Sequence, residues 1–596
     1  MQARKLLAAG KDLGEVKKAV DYSFRSRRKY AENFISDVQS IMNSPLRAVL
    51  AQCRKYHYYR VLRTWPSTML ATHPVLKKNL VTARGYVAAK LAKIKGPPQW
   101  FQDLSPALHN VRELLGKEAY SYLISLVYTI PYYRNAMREI AMFLCHSGLH
   151  DQGLAVFEAL LSSYVPNERP PETQIVIYLQ MLMFGSPEVQ TNEKIYKEHV
   201  RWSQHFLQGE PYKAYTNPLT TNRRLKIGYT CHFITDSVAT NSLHAMLRAH
   251  HRDRVEVFLY SDEPVNSKNE AIHGLVEHWR DTYGMDTDAF CELVRKDEID
   301  VLVELNGHGI FHRYYAIALH PAPVQVAYYN YACTTGVPSM DYALIPGGIE
   351  IGHLQPYYSE TIFHQKGIAH AMPVSDHFPP VSESPFEKNG FITFCSFGQA
   401  HKVSRQQILL WCEVLKRVPG SKFFMKARLL GEPASRAAFI HHFKDGGIDQ
   451  SRLILEGNSD YATLLKCYWR ADIGLDTYPC NAGTTSIEAT ISGVPIISLV
   501  GDRYCSQVAR AVVESMGYPE LQCQSPEVFI EKAVSLANNK QKLKSYRHNM
   551  RKDYMNNPRI SLDIYATSME DAYYEMWQRY IARYEKRAEN IIKVTV

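Results

Sequence analysis

Two rhythms of apolar residues divide this chain. Up to about residue 208 they return every three or four positions with little alternation, the spacing of helices with one buried face. Gly96-Pro97-Pro98 breaks that region in two. Its later part holds AMREIAMFLCHSGLHDQGLAVFEALL (136–161). There Ala141, Gly148, Gly153 and Phe157 fall where a 34-residue helix-turn-helix repeat places its small residues and its aromatic, so a helical hairpin is predicted. A last helix should end near Phe206, and the polar run GEPYKAYTNPLTTNRR (209–224) marks a boundary.

The rhythm then changes to short continuous apolar runs, the mark of buried parallel strands. LKIGYT (225–230), VEVFLY (255–260), DVLVEL (300–305) and VQVAYYN (324–330) alternate with helical stretches, Leu243–His250 and Asp288–Lys296. Loop-like sequence from 372 to 388 separates these from a second series. It comprises FITFCSF (391–397), a helix Arg405–Lys416, KFFMKA (422–427), LILEG (453–457), a helix Tyr461–Arg470, DIGLD (472–476) and VPIISLV (494–500). Strands alternating with helices predict two doubly wound parallel α/β units. The divisions are a helical region 1–208, units at 224–375 and 390–567, and an amphipathic helix in 568–596 that reaches back to brace the first unit.

Composition narrows the class. A chain of 596 residues exceeds one core, and 46% hydrophobic with 21% charged residues is ordinary globular usage. The net charge of +10 is modest for this length, and the basic residues of the first hundred positions read as a solvated helical face. No nucleic-acid-binding motif is present. Eleven cysteines occur singly, without a Cys-x-x-Cys pair, which argues for free thiols rather than a disulfide framework or zinc site. The N-terminus lacks the apolar core of a signal peptide, and no run approaches the ~20 apolar residues of a membrane span. A cytoplasmic protein is expected.

The candidate chemistry lies in LDTYPCNAGTTSIEATISGVP (475–495). Gly493 and Pro495 stop a helix that starts near Thr484, at the carboxyl end of the strand DIGLD. Small residues before a helix N-terminus, with Thr484 and Thr485 upon it, make an anion site, because unpaired N–H groups and the helix dipole both favour negative charge. Ala482 and Gly483 let a ligand approach the backbone. Glu488, one turn in, would repel phosphate but could accept from both hydroxyls of a ribose, so a nucleotide is predicted. SFGQAHKVS (396–404) places Gln399 and Lys402 at the same carboxyl edge, where they could hydrogen-bond and neutralise a diphosphate. Asp286-Thr287-Asp288 reads as a helix cap rather than a metal dyad. The pairs His250-His251 and His441-His442 read as surface residues, and no metal-ligand spacing is evident.

These motifs, in order, resemble the protein O-GlcNAc transferase family in its bacterial form. The matching segments are RLKIGYTCHF (224–233), DVLVELNGH (300–308), Arg313 with HPAPVQVAYYNYACTTGVPSMDYALI (320–345), FGQAHKVS (397–404), VLKRVPGSKFFM (414–425) and LDTYPCNAGTTSIEATISGVPIISLVG (475–501). The resemblance covers roughly the C-terminal 370 residues and more loosely the helical region. It implies a GT-B fold of two Rossmann-like units after an all-helical, TPR-like domain. It implies an inverting glycosyltransferase that moves a sugar, GlcNAc or glucose, from a UDP donor to Ser/Thr or Asn side chains, without cofactor or metal. Gln399 and Lys402 match the diphosphate contacts, Thr484 and Thr485 the phosphate-binding pair, and Glu488 the ribose acid. His308, Thr334, Thr335 and Gly336 would line the first unit's side of the crevice. The helical region would select acceptors, dock partners or pair copies of the chain.

The chain also departs from that family. Asp236 stands where many members have a His proposed to serve the acceptor, and by position it ranks first as base, with His232 and His308 as alternatives. His232 replaces an Asp, Gly483 replaces the His before the Thr pair, and Leu464 replaces a His that packs on the nucleotide base. The long insertion of animal members is missing. A GDP-sugar donor, a glycan or lipid acceptor, or a helical scaffold with a vestigial catalytic half therefore remain as alternatives.

Overall fold

The computed structural model describes residues 99–595, apart from 105, 131, 165–169, 236–239, 265, 267–269, 271, 310, 329, 368–373 and 375–377. Asp236 and the basic first 98 residues thus lie outside the described residues. The chain forms two compact units, residues 1–101 with 121–131 and residues 102–120 with 132–596. Of the first, little beyond Gln99–Phe101 and 121–130 is described. Apart from the second half of the first helix below, the second unit carries the architecture that follows.

Helix α1 (Val111–Thr129), broken at Gly116, precedes a hairpin of α2 (Tyr133–His146) and α3 (His150–Ser162). The hairpin depends on two glycines. Gly148 turns the chain at φ +84°, and Gly153 brings the helices so close that a Cβ there would lie 2.7 Å from the Ala141 carbonyl oxygen. Helices α4 (Glu172–Leu182) and α5 (Asn192–Phe206) complete the helical region. The hairpin turn packs on the second lobe: the Arg405 amide donates to the Gly148 carbonyl at 2.9 Å, and His442 Nε2 meets the Ser147 carbonyl at 2.7 Å. Helix α5 packs on the first lobe, where a Cβ on Gly336 would strike the His199 backbone.

The first lobe is a seven-stranded parallel sheet of β1 (Leu225–Cys231), β2 (Val255–Ser261), β3 (His278–Asp281), β4 (Val301–Glu304), β5 (Val324–Tyr328), β6 (Tyr342–Ile345) and β7 (Thr361–His364), in the order β3-β2-β1-β4-β5-β6-β7. Helices α6 (Thr240–Ala249), α7 (Thr287–Lys296) and α8 (Tyr314–Ala318) connect them. The central strands are buried throughout, which is why they read as continuous apolar runs. Strands β3 and β7 lie at the sheet edges and keep polar, partly exposed residues, so the apolar pattern does not reveal them. Asp286 caps α7, its carboxylate accepting from the Ala289 amide at 2.9 Å, as its position predicts.

The second lobe is a six-stranded parallel sheet of β8 (Thr393–Ser396), β9 (Lys422–Lys426), β10 (Leu453–Glu456), β11 (Ile473–Leu475), β12 (Ile496–Leu499) and β13 (Gln522–Cys523), in the order β10-β9-β8-β11-β12-β13. Its helices are α9 (Pro385–Asn389), α10 (Arg405–Arg417), α11 (Pro433–Asp445), α12 (Tyr461–Cys467), α13 (Thr484–Ile491), α14 (Val508–Ser515), α15 (Pro526–Asn538) and α16 (Lys540–Asn556). Two lobes of this kind behind a helical region are the GT-B-like architecture expected.

The final helix, α17 (Leu562–Thr595), crosses to the first lobe. Tyr565, Met569, Tyr573, Met576 and Trp577 enter the same core as β1, β2, β4 and β5. Here the histidine pairs correct the sequence reading. His250 is buried between the Tyr229 hydroxyl at 2.7 Å and the Glu570 carboxylate of α17 at 3.0 Å. His442 is buried against the helical region. Glu570 and Ser147 lie 320 and 295 residues from these histidines in sequence, so neighbours along the chain could not reveal the burial. No helix among the described residues is long and apolar enough to cross a membrane.

Candidate functional site

The candidate site is built where β8, β11 and β12 end. Strand β11 runs into Asp476, and the loop 476–483 then leads to α13. Asp476 holds this loop in shape. Its carboxylate accepts from the Thr477 amide at 2.8 Å, the Ala482 amide at 2.9 Å and the Ser498 hydroxyl at 2.6 Å. Burial pushes its pKa up to about 7 against these hydrogen bonds and the nearby Lys402 charge. Asn481 adds a second clamp, donating from Nδ2 to the Thr477 carbonyl at 2.8 Å.

The turn after β8 brings in Gln399 and Lys402. Gln399 opens the 3₁₀ turn Ala400–Lys402 and is exposed. The Lys402 ammonium donates to the Asn481 carbonyl at 3.2 Å, so this cation reaches the loop that precedes α13. Burial opposes its charge, but the Cys480 sulfur and the Asp476 carboxylate outweigh burial and raise its pKa. The neighbouring Cys505 thiol and the charges of Lys402 and Arg503 lower the Cys480 pKa, against its burial. A small cavity of about 10 Å³, room for one water, lies between the two motifs, lined by Ser396, Gly398, Asp476, Ala482 and Thr485 among others. The two sequence motifs are thus brought together.

At the mouth of α13, Gly483 is the N-cap, and Thr484 and Thr485 are half-buried in the first turn. Neither threonine hydroxyl has a protein partner among the described residues. Glu488 lies one turn in and is buried, accepting from the Tyr461 hydroxyl of α12 at 2.9 Å. Burial raises its pKa to about 7, opposed by that one hydrogen bond. The Asn241 side chain, on α6 of the first lobe, lies near the same Tyr461 hydroxyl. Leu464 is half-buried on α12 beside the same core cluster.

Three expected residues are placed elsewhere. Thr334 and Thr335 are buried, and both hydroxyls donate to the buried Glu360 carboxylate, Thr334 at 2.7 Å. His308 is fully buried among His199, Trp202, Tyr314 and Tyr331, with Nε2 against the Thr335 carbonyl at 2.7 Å. Burial and the nearby His199 hold its pKa well below the ordinary value. These residues sit where the first lobe packs on the helical region. Asp476, Cys480 and Tyr461 were missed. The position of Asp476 at a strand's carboxyl end was the one available signal. Tyr461 lies a whole helix and strand before the glutamate it touches.

Residues 197–378 and 386–569 match the pattern that defines glycosyl transferase family 41, well over half of the chain. The chain belongs to glycosyl transferase family 41. Its fold is similar to that of a mutant O-GlcNAc transferase from Thermobaculum terrenum, with a TM-score of 0.70 and 23% identity over 84% of this chain and 95% of that one. Among curated proteins it is 27% identical over 401 residues to a tomato (Solanum lycopersicum) protein called probable UDP-N-acetylglucosamine--peptide N-acetylglucosaminyltransferase SPINDLY, covering 65% of this chain and 43% of that one. It is 28% identical over 370 residues to the SEC protein of the same description from Arabidopsis thaliana, covering 60% and 37%. The chain therefore spans less than half the length of these curated relatives. Loop 476–483, the Lys402 turn and α13 all fall within the second family 41 segment. Among the described residues, no group of three or more His, Cys, Asp or Glu side chains is arranged to hold a metal ion.

Proposed function

We propose that the chain transfers a sugar from a nucleoside diphosphate, UDP-GlcNAc in the first instance, to polypeptide side chains with inversion at the anomeric carbon. The observation that carries this reading is the convergence of Lys402, the Thr484 and Thr485 hydroxyls and the α13 amides on one loop, with a buried carboxylate one turn further in. The acceptor oxygen attacks the anomeric carbon from the face opposite the leaving group. As the bond to the diphosphate breaks, negative charge grows on the leaving oxygens. Lys402, the two hydroxyls and the helix N-terminus meet it, with Gln399 at the rim. Glu488 binds the ribose hydroxyls, which would share it with Tyr461. The donors in this reading are all fixed protein groups, so it asks for no metal. The names of the curated relatives and the family 41 match support it.

The test pairs two measurements on the full chain. Synthetic Ser- and Thr-containing peptides incubated with UDP-GlcNAc, UDP-glucose or a GDP-sugar are read by intact mass, and the thermal midpoint is read with UDP and with GDP. The expected result is a single-sugar mass gain from UDP-GlcNAc and stabilisation by UDP over GDP. Stabilisation by GDP with transfer from a GDP-sugar would replace the donor. No stabilisation by either nucleotide and no transfer would refute the reading.

A further inference from the structure

His232 directly follows β1, at the start of the loop that leads into α6. The hydrogen bonds around it define which ring nitrogen carries the proton. The His232 backbone amide donates to the Asn306 side-chain oxygen at 2.9 Å, which fixes the orientation of that carboxamide. The ring Nδ1 meets the same oxygen at 2.9 Å. An oxygen that accepts from both must receive a proton from Nδ1, so the neutral ring carries N–H at Nδ1 and a lone pair at Nε2. Asn306 is itself held, since its amide and that of Gly307 donate to the buried Glu304 carboxylate at 3.0 and 2.9 Å. The ring is half-exposed and lies against Phe311, with centroids 5.1 Å apart, and Phe311 is 53% exposed.

The location is as specific as the tautomer. In a parallel sheet the ligand crevice lies beyond the strand carboxyl ends, where His232 stands. The loop it belongs to starts α6, and Asn241 on that helix lies near Tyr461, which holds Glu488. This part of the first lobe therefore meets the proposed donor pocket. The other histidines nearby are occupied: His308 is fully buried, and His244 Nε2 meets the Ile234 carbonyl at 2.9 Å.

We infer that His232 is the base of the reaction, its Nε2 taking the proton of a Ser or Thr acceptor hydroxyl while Asn306 and Glu304 hold the ring as positioning residues. The inference rests on the proposed transfer reaction and adds a hydroxyl acceptor to it. The hydroxyl oxygen forms its bond to the anomeric carbon, and the bond to the diphosphate oxygen breaks with its electron pair leaving on the diphosphate. The hydroxyl proton moves to Nε2, and the imidazolium returns it to water. The ionisable groups around this loop are Glu304 behind Asn306, Glu263 on the Ile234 and Thr235 amides, His244, and the Asp262–Arg313 pair.

His232→Asn tests this directly. Asparagine can place an amide N–H where Nδ1 stands and keep the bond to Asn306, but it has nothing at the Nε2 position. With UDP-GlcNAc and the peptide pool, transfer should fall about a hundredfold or more while the UDP-induced thermal shift is unchanged, and the acid limb of the pH–rate profile should vanish. Asn306→Ala should lower the rate less and move that limb. A His232→Asn chain with wild-type rate overturns the inference. So does a reduced rate with an unshifted pH profile, or loss on Asp236→Asn with His232→Asn unaffected. If the wild-type chain transfers nothing, the proposed function falls as well; if it transfers and His232→Asn keeps pace, only this inference falls.

Discussion

Two of the molecule's threonine pairs are each associated with a glutamate, and they have opposite fates. Thr334-Thr335 follows β5 in the first lobe, and Thr484-Thr485 opens α13 in the second. At the first pair both hydroxyls and the Thr335 amide surround Glu360, which is buried and has its pKa raised by burial against those bonds. The Thr334 and Thr335 hydroxyl oxygens accept in turn from the Gly336 and Val337 amides at 3.1 and 3.2 Å. That pair is a closed fastening under helix α5. At the second pair the hydroxyls are half-exposed, and Glu488 receives a single protein hydrogen bond. A satisfied polar cluster stabilises a fold, whereas hydroxyls left open at a helix N-terminus are free to bind an anion.

The largest test of this contrast is Lys402→Ala. Removing the cation beside the second pair should cost about 3 kcal/mol of barrier, roughly a hundredfold in transfer rate, with the unfolding midpoint little changed. Steady-state kinetics alongside thermal melts check it, and full activity would break the contrast.

Glu488→Gln comes next and should act in opposite directions on stability and binding. The folded carboxyl lies near 7 against an ordinary 4.5. Below about pH 4.5 it is protonated in both states and costs nothing. Between about pH 4.5 and 7 the unfolded chain ionises while the folded carboxyl stays protonated, so a penalty builds up and levels off at about 3 kcal/mol above pH 7. The variant should therefore melt higher than wild type at pH 8 and equal to it at pH 4.5, while UDP stabilises it less. A lower melting point at pH 8 would show Glu488 to be a structural group like Glu360.

At the first pair, Thr335→Val removes a donor from a buried carboxylate and should destabilise the fold by about 1–3 kcal/mol, read by denaturant unfolding, without changing the donor KM. The smallest effect should be that of Thr484→Val with Thr485→Val: a transfer rate lower by about tenfold, with unfolding within about 0.5 kcal/mol of wild type. If the two pairs exchanged these signatures, the assignment of fastening and ligand site would be reversed.

Much of the fold was legible because burial on both faces leaves a continuous apolar run. Strands β1, β2, β4, β5, β8, β9, β10, β11 and β12 can all be located that way. The edge strands β3 and β7 could not, since half their residues face outward. Of the candidate site, the Lys402 turn and α13 were legible because each follows a strand's carboxyl end. Asp476 and Tyr461 were not singled out, because the amide, hydroxyl and carboxylate partners that give them meaning lie in other segments of the chain. The histidine pairs failed for the same reason, since Glu570 and Ser147 are remote in sequence.

The sequence by itself determined what is local: helix against strand, the glycine turn at Gly148, the Asp286 cap, and small residues ahead of a helix that carries two hydroxyls. Backbone sterics and periodic burial act over a few residues, so a single stretch of chain suffices for them. Only the tertiary structure decided which Thr pair is occupied, which histidines are buried, and which nitrogen of His232 carries its proton. Each of those depends on a partner brought close by packing, and hydrogen bonds act over about 3 Å whatever the separation along the chain.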